Sequence, residues 1–384
     1  MTAYAELSTR EAYGRVLVEL GEAYKDIVVL DADLSRSTMT KYFAEQFPER
    51  FFQCGLEEQN MMSIAGGFAA SGKIPFVSTF AVFAACRCFD QVRVCIAQPK
   101  LNVKVVATHG GITVGEDGAS HHAIEDLALY CSLPGFNVVV PADGIETAEA
   151  VRAAAATTGP FYIRLGRPKF PAVNTDGYRF DLGKAVTLRD GKDVTVIACG
   201  VMVSKALEAA NSLASQGVDC RVLNMPTLKP LDEAAVVAAA MQTGAIVVAE
   251  EHLIQGGLGS RVSQVVVRWK PVPMGFVAIN DVYAKSGKPD ELLQKYGLTA
   301  EAIEQTVKAA IGKKPTTSWR PRQPGRPGGS RGKAGAPTLR QHRRLLPKIR
   351  PARRTAKETR SHRRSHQTRS ESGYRQEIEP VVRE

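Results

Sequence analysis

Residues 108–122 have the sequence THGGITVGEDGASHH; they follow a β-branched run at 103–107 and precede a helical pattern that begins at Ala123. In a chain of alternating helices and strands, a loop after a strand lies at the carboxyl edge of the sheet, where such folds bind ligands. This loop contains three of the chain's seven histidines, two carboxylates and four glycines. Imidazoles and carboxylates supply acid, base and hydrogen-bonding groups, and glycines let the backbone approach a ligand closely. The loop therefore indicates an active site rather than a solvated turn.

The patterns on either side of this loop predict two consecutive α/β domains with mostly parallel sheets. Ser8 and Glu11 have the spacing of a capping box, which predicts a helix from there to about Tyr24. Apolar runs that predict buried strands lie at 27–30, 75–78, 103–107, 137–140, 161–164, 194–197, 219–223, 245–248 and 275–278. Helical patterns lie between them, among others at 57–71, 82–97 and 123–132. Repeated βα units of this kind form parallel sheets covered on both faces.

Composition sets the predicted boundaries. The first domain covers 1–170, a linker rich in Pro, Gly and Asp covers 171–190, the second domain covers 191–312, and a basic tail covers 313–384. The tail holds 21 Lys and Arg against 5 Asp and Glu, so the body is mildly acidic although the whole chain has a net charge of +11. The tail lacks apolar periodicity, which predicts disorder. An inert appendage or a product of out-of-frame or read-through translation is favoured over nucleic-acid binding, because few aromatic residues interleave the charges.

The remaining composition predicts a cytoplasmic protein that does not enter a membrane. The seven cysteines are odd in number and show neither a disulfide framework nor zinc-ligand spacing, so buried free thiols in a reducing compartment are expected. The N-terminus lacks a signal-peptide pattern, and no apolar run reaches the length of a membrane span. No residues are predicted to bind a metal.

Two further segments carry groups that could belong to a site. Glu57 and Glu58 open a predicted helix, where carboxylates are favoured by the helix dipole, so simple capping would explain them. The alternative is that one of them points into a pocket and hydrogen-bonds a heterocycle. Phe80 and Phe83 lie on one helix face at i, i+3, which core packing would also explain.

Taken together, these segments resemble the transketolase family over about residues 5–312. The matches to its pyrimidine-binding domain are CGLEEQNM at 54–61, STFAVF at 78–83, ATHGGITVGEDGASHH at 107–122 and PADGIE at 141–146. The matches to its C-terminal domain are AEEHLIQGGLGS at 249–260 and SGKPDELLQKYGLTAEAI at 286–303. The resemblance implies transfer of a two-carbon glycolaldehyde unit from a ketose phosphate to an aldose phosphate, with thiamine diphosphate and Mg²⁺ as cofactors.

The resemblance also implies roles for individual residues. Glu58 would hydrogen-bond the aminopyrimidine ring nitrogen and thereby activate the cofactor. The other implied cofactor contacts are Phe80 and Phe83 on the pyrimidine and Asp33 near the subunit interface. His109 and His121 would act in catalysis. The implied substrate contacts are His109, Asp117 and His121 on the sugar, and Arg10, Ser37 and Arg167 on its phosphate, where a guanidinium suits phosphate oxygens.

This sequence departs from the family pattern in three places. It has no GDG…N motif, which in the family binds Mg²⁺ and the diphosphate. The resemblance therefore implies a C-terminal subunit that works with a separate N-terminal subunit carrying that motif, in a heterotetramer with two copies of each chain. Cys86 stands where the family often has tyrosine, so that wall of the pocket is expected to be looser, and His122 stands where it often has glutamine.

Three other interpretations compete with this one. A deoxyxylulose-phosphate synthase is disfavoured because that family tends to have Asp-Arg where this chain has His109-Gly110. A 2-oxoacid dehydrogenase β subunit fits the GEDGASH segment poorly. A non-catalytic half-enzyme with a nucleic-acid-binding tail is disfavoured by the intact set of Glu58, His109, Asp117 and His121.

Overall fold

The computed structural model describes residues 4–175 and 177–313. The first helix, α1 (Thr9–Ala23), begins after Ser8, whose hydroxyl and Glu11 form the predicted capping box. The rest of the first half alternates helices and strands: β1 (Ile27–Asp31), α2 (Ser35–Thr38), α3 (Lys41–Gln46), β2 (Phe51–Gln53), α4 (Glu58–Ala70), β3 (Ile74–Ser78), α5 (Phe89–Gln91), β4 (Lys104–Ala107), α6 (Asp126–Ser132), β5 (Asn137–Val139), α7 (Gly144–Ala156) and β6 (Phe161–Arg164). A 3₁₀ turn, Pro48–Arg50, precedes β2.

The second half repeats the same alternation. Its elements are β7 (Val186–Arg189), β8 (Val194–Ala198), α8 (Met202–Ser215), β9 (Cys220–Asn224), β10 (Thr227–Lys229), α9 (Glu233–Thr243), β11 (Ile246–Leu253), α10 (Leu258–Trp269), β12 (Met274–Ile279), α11 (Pro289–Lys295) and α12 (Ala300–Gly312). The predicted class is confirmed, since the chain forms two α/β domains with mostly parallel sheets.

The strand order shows how the halves are connected. The first sheet has the order β10-β5-β6-β4-β3-β1-β2, and all its neighbours are parallel except β10 and β5. The second sheet has the order β12-β11-β8-β9-β7, and it is parallel except for the pair of β7 and β9. Strand β10 belongs to the second half of the sequence but pairs with the first sheet, so the two halves share hydrogen bonds as well as apolar contacts.

Several predicted bounds need correction. The helix predicted at 82–97 is α5 flanked by two π-helical turns, Phe83–Arg87 and Val92–Ala97. The segment 171–190, expected to be a linker, contains β7, which the antiparallel partner β9 holds in the second sheet. Strands β2 and β10 were not predicted, because three residues are too short for a periodic signal.

The predicted basic tail, apart from Lys313, lies outside the described residues. Within 4–175 and 177–313, no helix combines the length and apolar character that crossing a bilayer requires.

Candidate functional site

The loops that follow the strands of the first sheet converge at its carboxyl edge. Phe80 follows β3, His109 follows β4 and Arg167 follows β6, while Glu58 is the first residue of α4 after β2. Arg10 reaches the same edge because α1 runs antiparallel to the strands and its first turn lies there. The parallel topology therefore gathers residues that are far apart in sequence, as expected for a ligand site in this class of fold.

His109 is fixed by backbone bonds on both sides. The Thr108 amide donates to the Thr79 carbonyl at 3.1 Å, and the Gly110 amide donates to the Leu165 carbonyl at 2.9 Å. His109 itself has a φ of 59°, a left-handed conformation that is costly for a residue with a Cβ. The strained backbone directs the imidazole onto Phe80, with ring centroids 3.9 Å apart and planes inclined by 24°.

The two phenylalanines and two histidines form one aromatic cluster. Phe80 and Phe83 are stacked with centroids 6.0 Å apart, and His121 meets the ring of Phe83 edge-on at 5.4 Å. Burial, with the positive charges of Arg10 and Arg167, lowers the pKa of His109 to about 3. His109 is therefore neutral at physiological pH. A neutral imidazole has one donor and one acceptor nitrogen, and Nδ1 lies 2.8 Å from the Thr108 hydroxyl.

Glu58 lies beside this cluster and is paired with an arginine. Its carboxyl group is 1% exposed, and Nη1 of Arg87 lies 2.9 Å from Oε1 and 2.8 Å from Oε2. The Arg87 guanidinium lies over the ring of Phe83, with Cζ 4.5 Å from the centroid. Arg87 was not predicted as a site residue, because the π-helical turn that carries it leaves no signal in the apolar pattern.

The three residues expected to hold a phosphate lie together at one side of the edge. Arg10 donates from Nε to the Arg167 carbonyl at 3.1 Å and from Nη1 to the Ser37 carbonyl at 2.9 Å. The side chain of Arg167 lies 3.7 Å from the carboxylate of Asp117 and is 38% exposed. Arg10 and Arg167, but not Ser37, line an open groove together with Ser8, Lys169 and the carboxylates of Glu6, Glu11 and Glu116. The groove can accept a tetrahedral anion through guanidinium donors.

Asp33 is an exposed residue between β1 and α2. It has a φ of 62° in the loop after β1, and its amide donates to the side chain of Gln53 at 2.6 Å. Among the described residues, no hydrogen bond or ion pair joins Asp33 to the aromatic cluster. Its assignment to the cofactor stays a prediction.

Cys86 and His122, which depart from the family pattern, have different surroundings. Cys86 is exposed on the π-helical turn, and partial burial beside the Glu125 carboxylate raises its pKa to about 12, so it is a neutral thiol. The ring of His122 is buried, with Nε2 3.1 Å from the Gly115 carbonyl. His122 thus fixes the turn that carries Asp117 rather than lining the cluster.

A buried polar network that was not predicted, which we call the domain joint, is formed by Thr113, Asp126, Arg164 and Glu251. Arg164 pairs with Asp126 at 2.9 Å and donates to the backbone carbonyl of Glu251 at 2.9 Å. The Glu251 carboxylate accepts from the Thr113 amide at 2.7 Å. The network fastens the loop 108–122 to the second half of the chain. These residues lie in separate apolar runs, which gave no sign that they meet.

The assembled groups suit organic chemistry on a bound heterocycle and an anionic substrate. A buried carboxylate beside stacked aromatic rings can bind a flat ring that carries an N–H donor. The neutral imidazole of His109 can donate to a carbonyl or hydroxyl oxygen. In the part of the chain that the structure describes, no group of three or more His, Cys, Asp or Glu side chains is arranged to hold a metal ion.

Comparison with known families agrees with the two halves seen in the fold. The family model of the transketolase pyrimidine-binding domain matches residues 5–172. The family model of the transketolase C-terminal domain matches residues 183–303.

Individual relatives cover the same part of the chain. A putative transketolase C-terminal section of Methanocaldococcus jannaschii is 44% identical over 304 residues, which are 78% of this chain and 94% of that protein. Human transketolase is 40% identical over 80% of this chain, but that match spans only 50% of the human protein. A solved structure described as a split gene transketolase, inactive beta4 tetramer, has 51% identity and a TM-score of 0.75 over 80% of this chain and 99% of that one.

Proposed function

This chain belongs to the transketolase family, as a homologue of the C-terminal section of split-gene transketolases, and we propose from that premise that it forms half of a two-chain enzyme. The enzyme would transfer a two-carbon glycolaldehyde unit from a ketose phosphate to an aldose phosphate. The observation that carries the proposal is the meeting of Glu58 with the aromatic cluster of Phe80, Phe83, His109 and His121 at one sheet edge.

The residues of this pocket fit the aminopyrimidine of thiamine diphosphate. Glu58 offers two buried carboxylate oxygens, and Phe83 offers a ring face next to them. A flat heterocycle with an N–H edge needs this combination of an acceptor and a stacking surface. Thiamine diphosphate, when bound, supplies the carbon nucleophile that attacks the ketose carbonyl and the electron sink for the transferred unit.

The side chains of this chain would bind and orient the reactants. Glu58 holds the hydrogen bond to the pyrimidine ring nitrogen, and Phe80 and Phe83 exclude water from that bond. His109, kept neutral by its surroundings, has one N–H group, which would donate a hydrogen bond to a substrate oxygen. His121 lies at the edge of the same cluster and faces the substrate side.

The sugar phosphate would lie in the groove of Arg10 and Arg167, with Ser37 beside Arg10. Asp117 is held beside Arg167 and would accept a hydrogen bond from a sugar hydroxyl. A relative that is 42% identical is the 6-deoxy-6-sulfo-D-fructose transketolase subunit SqwH of Clostridium sp.. Phosphate and sulfonate are both tetrahedral anions, so the same guanidinium groups suit either.

The Mg²⁺ ion and the diphosphate would be held mainly by an N-terminal subunit, in a heterotetramer of two copies of each chain. The M. jannaschii relative is named as a C-terminal section and the solved relative as an inactive tetramer of β chains, and both names support the need for a second chain. Asp33, exposed at the sheet edge, would then meet the cofactor across the interface between subunits.

The proposal is tested by Glu58→Gln in the full chain reconstituted with its N-terminal subunit. Gln cannot hold the charge that favours the N–H form of the pyrimidine, so kcat should fall by about 10²–10⁴-fold. The matched control is Glu57→Gln, since Glu57 is the exposed neighbour at the start of the same helix. Steady-state kinetics with far-UV circular dichroism separate chemistry from folding, and near-normal turnover of Glu58→Gln would remove Glu58 from the mechanism.

A further inference from the structure

Arg87 contacts both Glu58 and Phe83, the two residues that would bind the pyrimidine of the cofactor in the proposed function. Its Nη1 donates to the two carboxylate oxygens of Glu58 at 2.8 and 2.9 Å. Its guanidinium lies on the face of Phe83, with Cζ 4.5 Å from the ring centroid. The arginine thus fills the corner between the buried carboxylate and the aromatic ring.

A guanidinium and an aminopyrimidine present similar surfaces to such a corner. Both are planar, both stack on an aromatic ring, and both offer N–H donors in their plane to a carboxylate, the aminopyrimidine when its ring nitrogen carries a proton. The two carboxylate oxygens of Glu58 cannot accept hydrogen bonds from Arg87 and from the pyrimidine at the same time. One face of the Phe83 ring likewise cannot stack with both groups. The two groups must therefore compete.

The ion pair is built so that the arginine can leave while the carboxylate stays. The Arg87 side chain is 49% exposed, whereas that of Glu58 is 1% exposed. The backbone of Arg87 is fixed, because its carbonyl accepts from Nε2 of Gln59 at 3.0 Å, so only the long side chain has to swing into water. Because about half of the Arg87 side chain already contacts solvent, the free-energy cost of moving the guanidinium into water is small.

We propose that Arg87 is an internal competitor of the aminopyrimidine: its guanidinium occupies the pyrimidine position and must swing outward before Glu58 and Phe83 can bind the cofactor. The inference rests on the proposed function, and it adds a residue that sets cofactor affinity without taking part in the chemistry. Because binding is reduced by the fraction of chains in which the corner is free, removal of the guanidinium should tighten binding by about tenfold.

The test uses the full-length chain and the free pyrimidine half of thiamine, 4-amino-5-hydroxymethyl-2-methylpyrimidine, so that no partner subunit is required. Binding is followed by NMR titration of the pyrimidine signals. Arg87→Met keeps the length of the side chain and removes its donors and charge, and it should bind the probe about tenfold more tightly than wild type. Arg93→Met, at an exposed arginine on the neighbouring π-helical turn, is the matched control and should bind as wild type does.

Ionic strength provides a second readout that a merely structural role of Arg87 would not move. Salt screens a half-exposed ion pair, so raising the salt concentration should tighten binding of the probe to wild type and leave Arg87→Met unchanged. Arg87→Lys retains the positive charge but loses the planar guanidinium. Its affinity for the probe should lie between those of wild type and Arg87→Met. Equal or weaker binding by both Arg87 variants, with normal far-UV circular dichroism, overturns the competition.

Glu58→Gln separates this proposal from the function on which it rests. If Glu58→Gln weakens probe binding while Arg87→Met does not tighten it, the pyrimidine site stands and Arg87 is not its competitor. If neither wild type nor Arg87→Met binds the probe, the proposed pyrimidine site is wrong, and the proposed competition by Arg87 is wrong as well.

Discussion

The carboxyl edges of the two parallel sheets carry similar residues, but they use them differently. At the first edge, His121, Asp117 and Arg167 remain partly exposed beside the aromatic cluster. At the second edge, Glu250 and Glu251 are buried at the end of β11 and accept backbone N–H groups from Gly259 and Thr113. One edge leaves polar atoms for a ligand, whereas the other uses them to dock the halves of the chain.

This difference shows that the sheet topology indicates where a ligand site can form. Whether a site forms there depends on whether the polar side chains already have partners inside the protein. Carboxylates and an imidazole stand together in the run Glu250–Glu251–His252, and on composition alone this run looks as promising as the loop 108–122. Its groups already have partners inside the protein, including the domain joint. A buried polar group whose hydrogen bonds are all made inside the protein stabilises one arrangement of the chain. It has no donor or acceptor left for a substrate.

The largest expected effect comes from breaking the domain joint with Asp126→Asn. Arg164 would lose its buried counter-charge, and breaking such a pair costs about 3–5 kcal/mol. Glu58→Gln is the matched control, because its partner Arg87 is half exposed and the loss should stay within about 1 kcal/mol. Urea denaturation of both variants measures the two values. Similar losses in both would show that the two carboxylates play the same structural part.

A smaller effect is expected at His109 on acidification. Its folded-state pKa of about 3 lies below the ordinary 6.5, so between these values the unfolded chain binds a proton that the native chain does not. Stability present above pH 6.5 is therefore lost as the pH falls, by about 2 kcal/mol from pH 7 to pH 5. His109→Gln does not titrate and should lose less over that range, as measured by denaturation at both pH values.

The facing groups Arg10, Arg167 and His121 are unchanged in that variant, so the difference between the two pH profiles isolates His109. Parallel profiles would mean that the imidazole titrates normally in the folded protein. His109 would then be available as a charged acid at physiological pH, contrary to the role proposed above.

A further effect is expected at a glycine where the two regions meet. Gly111 has a φ of 83°, and a Cβ there would lie 2.1 Å from the Glu251 carboxyl carbon. Gly111→Ala should cost at least about 1–2 kcal/mol from the backbone conformation alone. Gly67→Ala in α4, where a Cβ meets nothing within 4 Å, should instead stabilise the chain by about 0.5–1 kcal/mol. Thermal unfolding compares them, and a neutral Gly111→Ala would mean that the loop is not held against Glu251.

The long apolar runs made the sheet strands predictable, since strands such as β1, β4 and β8 are buried on both faces. The capping box at Ser8 and Glu11 likewise placed the start of α1 correctly. These signals depend only on residues that are close together in the sequence, so they can be read without knowledge of the tertiary contacts. The loop 108–122 was recognisable for the same reason, because its polar groups and glycines are contiguous.

What could not be predicted depends on partners distant in sequence. Strand β10 forms because β5, nearly ninety residues earlier, offers an edge, and three residues of its own carry no periodicity. Arg87 reaches Glu58 because π-helical turns rotate it away from the position that an α-helix would give. The Asp33 amide likewise donates to the side chain of Gln53 on the neighbouring strand β2, a partner that the local sequence does not indicate.

A chimera that takes its second half from a relative would also import one strand of the first sheet. The family models divide the chain between 172 and 183, yet Thr227 pairs with Val139 and Lys229 with Val138 across that division. The boundary that separates the halves in sequence is therefore not a boundary in space. Exchange of modules between members of the family succeeds only when residues 227–229 and the edge of β5 remain compatible, so the two halves are inherited as one cooperative unit.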